Sequence, residues 1–344
     1  MYSRREIHLF RLAQFDKEIT VFDRMLFLEV TQVARKLGIF FGILALFFML
    51  LPSSVIATGA YPYRFPPKDN FFHAEANTVI GVPQKHRIHK KDSLIGMARD
   101  YKLGFNELED LYPLLDPWVP PVGMTLTIPT QWVLPDTEVD GIVINVAELR
   151  LYYFMKKIHM VKTYPIGIGR EGWFTPLGDF RITSKRAHPT WYVPLSLQAK
   201  YGIKTMPPGP ENPLGDYYMG LSNMEYGIHG TNFPWAVGRL VTHGCIRLYP
   251  EDIVNLFQAV QVGTPVKIIY SPVKFGIISG KIYVEVHQDI YHRIEDFSEY
   301  GRQLLTEKGL VGKVDMVKFQ AALDRKDGMP MDITPSDQTA QKID

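Results

Sequence analysis

Gly141-Ile142-Val143-Ile144-Asn145-Val146-Ala147-Glu148-Leu149-Arg150-Leu151-Tyr152-Tyr153-Phe154 decides the fold class. Two runs rich in β-branched and aromatic residues flank Ala147-Glu148, which is the pattern of a β-hairpin. Working outward, Met160 to Ile168, Gly178 to Thr183, Val241 to Leu248 and Pro265 to Tyr270 read as further strands. The one clear helix of this region starts at Pro250, a favoured first helical residue, and sets Ile253, Leu256, Phe257 and Val260 at i, i+3, i+4 and i+7. Residues 141–270 therefore read as a mainly β domain.

Upstream, residues 61–85 are rich in proline and aromatics and lack a period, so they read as an extended linker or the start of a fold. Asp92-Ser93 then caps a short helix whose Leu94, Met97, Ala98 and Tyr101 share one face. A second helix from Phe105 buries Leu108 and Leu111, and Val122 to Pro129 returns as a strand. Strand, two helices and strand over residues 86–130 resemble a small α+β LysM module, a fold that binds N-acetylglucosamine-containing glycans. Lys91-Asp92-Ser93-Leu94 looks like that family's turn and Gly123 to Pro129 like its closing strand, whereas the family's asparagine after the second helix is missing around Leu111-Tyr112. The segment is either a glycan-binding module or a small packing domain.

Leu37 to Leu51 is an uncharged apolar run preceded by Arg35-Lys36, which holds its N-terminal side in the cytoplasm and sends the downstream chain across a membrane. At about 1.5 Å per residue the run spans roughly 22 Å, against about 30 Å for a hydrocarbon core, and extension through Val55-Ile56 nearly closes the gap. Residues 1–60 are expected to be either a cleaved signal peptide, ending at Ala57-Thr58-Gly59 or Thr58-Gly59-Ala60, or a signal anchor. A start at Met25 would give a signal of ordinary proportions, and no cysteine stands where lipoprotein attachment would need one. The membrane is thus a partner only through this segment, and the rest is expected in the periplasm or cell envelope. Downstream, residues 272–344 form a small C-terminal extension with a strand over Gly280 to His287, a helix over Tyr291 to Glu307 and a second over Asp315 to Asp324.

The 344 residues are 46% apolar and carry a formal charge of +2, which favours no polyanion and argues against nucleic acid as a partner. The single cysteine, Cys245, cannot form an intramolecular disulfide, so an exported chain keeps a free sulfur where oxidation is a hazard. It lies in Thr242-His243-Gly244-Cys245-Ile246-Arg247-Leu248, sixteen positions after the histidine of His229-Gly230-Thr231-Asn232. A nucleophilic thiol needs its thiolate form, and a nearby histidine that lowers the thiol pKa also returns the proton to a leaving amine. Gly230 and Gly244 remove Cβ atoms beside the candidates and let a substrate approach backbone N–H groups able to hold an oxyanion. The blander alternative makes His243 and Cys245 core residues of one strand.

His229-Gly230-Thr231-Asn232-Phe233-Pro234-Trp235-Ala236-Val237-Gly238 followed by Thr242 to Leu248 resembles the signature of the L,D-transpeptidase catalytic domain of YkuD type. Thr175-Pro176-Leu177-Gly178-Asp179-Phe180-Arg181-Ile182, His188 to Pro194 and Gly209 to Gly215 are similar to blocks of its ErfK/YbiS group. The resemblance implies a β-rich catalytic domain over 141–270 acting on peptidoglycan stem peptides, with no cofactor and no metal. It also implies Cys245 as nucleophile, His229 as general base, the Gly230 carbonyl as the group orienting the imidazole, and Gly244 and Cys245 N–H groups as oxyanion donors. His243 and Arg247 fall at the site, Arg247 holding a substrate carboxylate or forming a structural ion pair, and Thr242 stands where many members carry serine. Tyr226, Trp235 and Trp191 either wall the pocket or pack in the core.

The implied reaction forms a thioester with a stem tetrapeptide, releases D-alanine, and passes the acyl group to an amine, either another diaminopimelate in a 3-3 crosslink or the lysine of an envelope lipoprotein. Water as acceptor would make the protein an L,D-carboxypeptidase or hydrolase. A non-catalytic wall-binding protein that grips glycan through 86–129 is the reading from another class, and it leaves the His229/Cys245 pair without a purpose. A papain-like peptidase does not fit the blocks around Thr175, Pro189 and Pro210. For metal, His86 and His89 are close in sequence but have no partner at zinc spacing.

Overall fold

Val146–Glu148 forms a single 3-10 turn after which Leu149 takes a left-handed conformation, so the chain reverses and Ile142–Asn145 pairs antiparallel with Arg150–Met155. Every residue of Ile142–Asn145 is buried, because both faces of this strand are covered. Ile142 and Ile144 enter one apolar core and Val143 another. The computed structural model describes residues 59–336 apart from Asp69 and Met224; of the signal peptide or anchor expected over 1–60, residues 1–58 lie outside the described residues. No helix among the described residues is long and apolar enough to cross a membrane.

The hairpin sits inside a nine-stranded sheet in the order Ala60–Pro62, Met160–Pro165, Arg150–Met155, Ile142–Asn145, Pro265–Ile269, Gly178–Ala187, Tyr217–Leu221, Gly227–His229, Ile246–Arg247. Its pairings are antiparallel except Pro265–Ile269 on Ile142–Asn145 and Ile246–Arg247 on Gly227–His229. The chain is mainly β. The helix Pro250–Ala259 forms where the apolar period places it, with Ile253 and Leu256 in the core under the second parallel pair. A second helix in this region, Leu195–Tyr201, buries none of its residues and so leaves no apolar period in the sequence.

The expected strand from Val241 to Leu248 is corrected to two short strands, Leu240–Thr242 and Ile246–Arg247, that join different partners. Gly244 breaks the run with φ of +101°, and the Thr242 hydroxyl takes over the ladder's role by accepting from Gly244 N–H at 3.1 Å and donating to the Cys245 carbonyl at 2.7 Å.

Gln84–Arg87, Leu94–Asp100, Phe105–Leu111 and Thr125–Ile128 form a β-α-α-β unit whose outer strands pair antiparallel. Ser93 caps the first helix by accepting from Gly96 N–H. Leu94, Leu108, Leu126 and Ile128 share a core with Val143, Tyr152, Phe154 and Val161, so this unit covers one face of the nine-stranded sheet. The stretch 61–85 is more than a linker here: Ala60–Pro62 pairs with Met160–Pro165, and Val79–Gly81 with Gln131–Val133. In the C-terminal extension Val273–Ile278 and Lys281–Val286 form a hairpin backed by Phe297–Glu307 and Met316–Arg325. The first of these helices starts at Phe297, not at Tyr291, because Asp296 caps it.

A buried ionic cluster joins these parts. Lys274 Nζ lies 2.6 Å from Glu148 Oε2 and from the Val133 carbonyl, and 3.0 Å from Glu285 Oε1, with His287 Nε2 at 2.6 Å from Glu285. Burial acts to raise the Glu285 carboxyl, but the charges of Lys274 and His287 hold it down to about 2. Removing Lys274 strands the Glu285 carboxylate and takes the cation from Glu148, whose carboxyl burial already raises. Lys274→Met should therefore cost about 3–5 kcal/mol of stability, read as a fall in the guanidinium midpoint. A midpoint equal to that of the parent protein would contradict this account of the cluster.

Candidate active site

Gly227–His229 and Ile246–Arg247 run parallel with Ile228 opposite Ile246 and His229 opposite Arg247. Both isoleucines are fully buried, and side chains alternate along a strand, so His229 and Arg247 project from the opposite face. Cys245, one residue before Ile246, falls on that same side, where the Gly227 backbone amide hydrogen-bonds its thiol. Arg247 bears electrostatically on both His229 and Cys245, which places its charge beside the pair.

The His229 ring is 2% exposed, and its Nδ1 stands 2.6 Å from the Gly230 carbonyl. A carbonyl only accepts, so the proton sits on Nδ1, and Nε2 is the basic nitrogen of the neutral ring. Burial, then the Arg247 charge, lower the imidazole pKa to about 3, against the opposing effect of the Gly230 and Leu214 carbonyls. The fit at Gly230 is close: a Cβ there would stand 3.1 Å from Ile253 Cγ2, a contact that the isoleucine would have to yield to. Tyr218, paired across the ladder with His229, stacks on the imidazole at 6.1 Å and carries the Arg186 guanidinium 4.5 Å above its ring.

Cys245 opens into a cleft of about 430 Å³ lined by Trp173, Trp191, Tyr192, Tyr218, Tyr226 and His243 among others. Burial raises the thiol pKa above its ordinary value of 9.0, and the Gly227 amide and Arg247 only partly oppose it. Both shifts run against the expected histidine-stabilised thiolate and toward an uncharged thiol and an uncharged imidazole. His243 is half-buried and turned edge-on to Trp173 at 4.8 Å; burial and then the charges of Arg170, Lys200 and Arg247 lower its pKa. His243 and Cys245 do not share a strand, so the reading of both as core residues of one strand fails.

The other sequence candidates divide. Tyr226 lines the cleft with its Cε1 2.3 Å from where a Gly244 Cβ would sit, so only glycine fits at 244. Trp235 does not line the cleft: it is 49% exposed on the 3-10 turn Pro234–Ala236, whose neighbour Val237 bonds to Phe105 N–H in the β-α-α-β unit. Arg247 is half-buried and its buried Nε has no partner, which sets aside the structural ion pair. Gly244 N–H is occupied by Thr242, which leaves Cys245 N–H as the donor of this loop. Tyr218 and Arg186 escaped the sequence reading because their only signal is the pairing of distant strands, and Trp173 because it comes from a loop that meets His243 only in the fold.

Two groups among the described residues hold three possible metal ligands. His86, His89 and Asp92 do include an acidic partner, but the Asp92 carboxylate already accepts from the His89 N–H at 2.7 Å and meets the His86 ring at 2.9 Å. In the second, Glu148, Glu285 and His287, the Lys274 ammonium takes the cation's place.

Over residues 140–268 the chain matches the YkuD family model, the L,D-transpeptidase catalytic domain. Among curated relatives, the probable L,D-transpeptidase YcfS of Escherichia coli K12 is 39% identical over 271 residues, 74% of this chain and 85% of that protein. The probable L,D-transpeptidase YbiS of the same strain is 35% identical over 77% of this chain and 90% of its own. The probable L,D-transpeptidase ErfK/SrfK of that strain is 36% identical over 85% of this chain and 96% of its own.

With a neutral thiol at rest, alkylation of Cys245 by iodoacetamide should accelerate as pH rises through 9 and beyond, because deprotonation lies above the ordinary value of 9.0. A rate already at its plateau near neutral pH would mean a preformed thiolate and contradict the neutral pair.

Proposed function

Since this chain belongs to the L,D-transpeptidase family, we propose that it acts on peptidoglycan stem peptides in the periplasm or cell envelope, with Cys245 as nucleophile and His229 as base. The observation that carries this reading is the register that puts His229, Cys245 and Arg247 on one face of the sheet. Cys245 Sγ attacks the carbonyl carbon joining the third stem residue, an L centre such as diaminopimelate, to the terminal D-alanine, and His229 Nε2 takes the thiol proton. The carbonyl electron pair moves to oxygen, and the Cys245 N–H holds the oxyanion. Collapse breaks the C–N bond; D-alanine leaves with the proton returned by His229, and a thioester remains.

An acceptor amine then attacks the thioester and loses a proton to His229, and the departing sulfur is reprotonated. A second diaminopimelate gives a 3-3 crosslink; a lysine would anchor an envelope lipoprotein. The Gly230 carbonyl keeps the imidazole in the tautomer both steps require. Arg247, with its unpartnered Nε, suits a bidentate grip on a stem-peptide carboxylate. Thr242 shapes the loop, and Tyr226 and His243 wall the cleft.

The β-α-α-β unit over 86–130 binds the glycan and raises the local substrate concentration. Its loop after the second helix exposes Leu114, Trp118, Val119 and Val122, and an exposed indole offers a face for a sugar ring. Because this unit shares a core with the catalytic sheet, a point variant is the cleaner probe than a deletion. Trp118→Ala should weaken binding to insoluble sacculi about tenfold, a loss of about 1.4 kcal/mol, with turnover of a soluble tetrapeptide unchanged. Equal sacculus binding would remove the glycan role.

Acceptor choice is read from products. Purified protein given a disaccharide-tetrapeptide should release D-alanine and yield 3-3 linked dimers. D-Alanine release with tripeptide as the sole product would make water the acceptor, and no release would leave a wall-binding protein.

A further inference from the structure

Tyr291 belongs to the C-terminal extension, yet it is 7% exposed and packs into the core of the catalytic sheet. Its ring stacks on Tyr270 at 5.8 Å and meets Phe174 edge-on at 4.6 Å, and its N–H donates to the Tyr270 hydroxyl at 3.0 Å. The Tyr291 hydroxyl donates to the Gly169 carbonyl at 2.6 Å. Gly169 N–H in turn donates to Thr175 Oγ1 at 3.0 Å, and the Thr175 hydroxyl, fully buried, donates to the Gly244 carbonyl at 3.1 Å.

The Gly244 carbonyl and the Cys245 N–H belong to one planar trans peptide unit and point in opposite directions. Whatever holds the carbonyl therefore aims the amide. This unit needs holding, because Gly244 at φ of +101° has no Cβ to resist rotation of the adjoining peptide plane. The other side of the loop is pinned by Thr242, which binds Gly244 N–H and the Cys245 carbonyl but leaves the intervening plane free.

We propose that Thr175 and Tyr291 are positioning residues for the oxyanion donor: Tyr291 sets the Gly169–Thr175 loop, and Thr175 sets the Gly244–Cys245 peptide plane. The C-terminal extension thereby has a part in the chemistry without touching substrate. This rests on Cys245 being the acylated nucleophile, as proposed above.

Two reactions of the same sulfur separate aim from reactivity. Acylation by a carbapenem passes through a tetrahedral oxyanion, whereas alkylation by iodoacetamide displaces iodide at a saturated carbon and forms none. Thr175→Val should slow acylation about a hundredfold and Tyr291→Phe about tenfold, set against the 10²–10³ typical of losing one oxyanion donor. Alkylation should change by less than about twofold in both, and Thr175→Ser should restore acylation to within about threefold of the parent, since the hydroxyl alone carries the bond. If Thr175→Val loosens the loop enough to raise alkylation, Tyr291→Phe and Thr175→Ser decide the matter. Acylation at the parent rate in Tyr291→Phe, or equal slowing of both reactions, would overturn the proposal. A parent protein whose Cys245 takes no acyl group would instead sink the nucleophile reading, and the positioning role with it.

Discussion

Two isoleucines set the position of Cys245. Ile228 lies opposite Ile246 in a parallel pair at the edge of the nine-stranded sheet, and both are fully buried in the core that Pro250–Ala259 closes. Because strand side chains alternate, that burial turns Cys245, Arg247 and His229 together to the opposite face of the sheet, where Cys245 reaches the cleft. A slip of one residue would send Ile246 into solvent and Cys245 into the core, at a cost in buried apolar surface that holds the register firmly. The imidazole, the thiol and the guanidinium are thus aligned by residues with no chemistry of their own.

The same burial dictates the electrostatics. Desolvation disfavours whichever member of the pair is charged, so it raises the thiol and lowers the imidazole, and Arg247 beside both adds to the second effect while easing the first. Both shifts favour the uncharged forms of the two groups. That behaviour differs from a cysteine and histidine that rest as an ion pair.

Much of the fold was legible from local pattern. The hairpin at Ala147-Glu148, the helix from Pro250, and the strand, two helices and strand across 86–129 all arise from apolar period and capping, which neighbours in sequence determine. What escaped depends on partners far apart in the chain. Leu195–Tyr201 is a helix with no buried face, and Val241 to Leu248 reads as one strand until Gly244 and the Thr242 hydroxyl divide it. Cys245, His229 and Arg247 were visible through their motif and do converge. Trp235 was carried by the same motif but stands away from the cleft, while Thr175 and Tyr291 enter the site's frame only through bonds to Gly169 and Gly244.

Intact mass spectrometry after incubation with a disaccharide-tetrapeptide tests the central claim most directly, because it reads the covalent intermediate. The account predicts an adduct on Cys245 whose mass is the muropeptide less D-alanine, absent from Cys245→Ala and not formed by His229→Gln. An adduct retained by Cys245→Ala, or full adduct formation by His229→Gln, would contradict it.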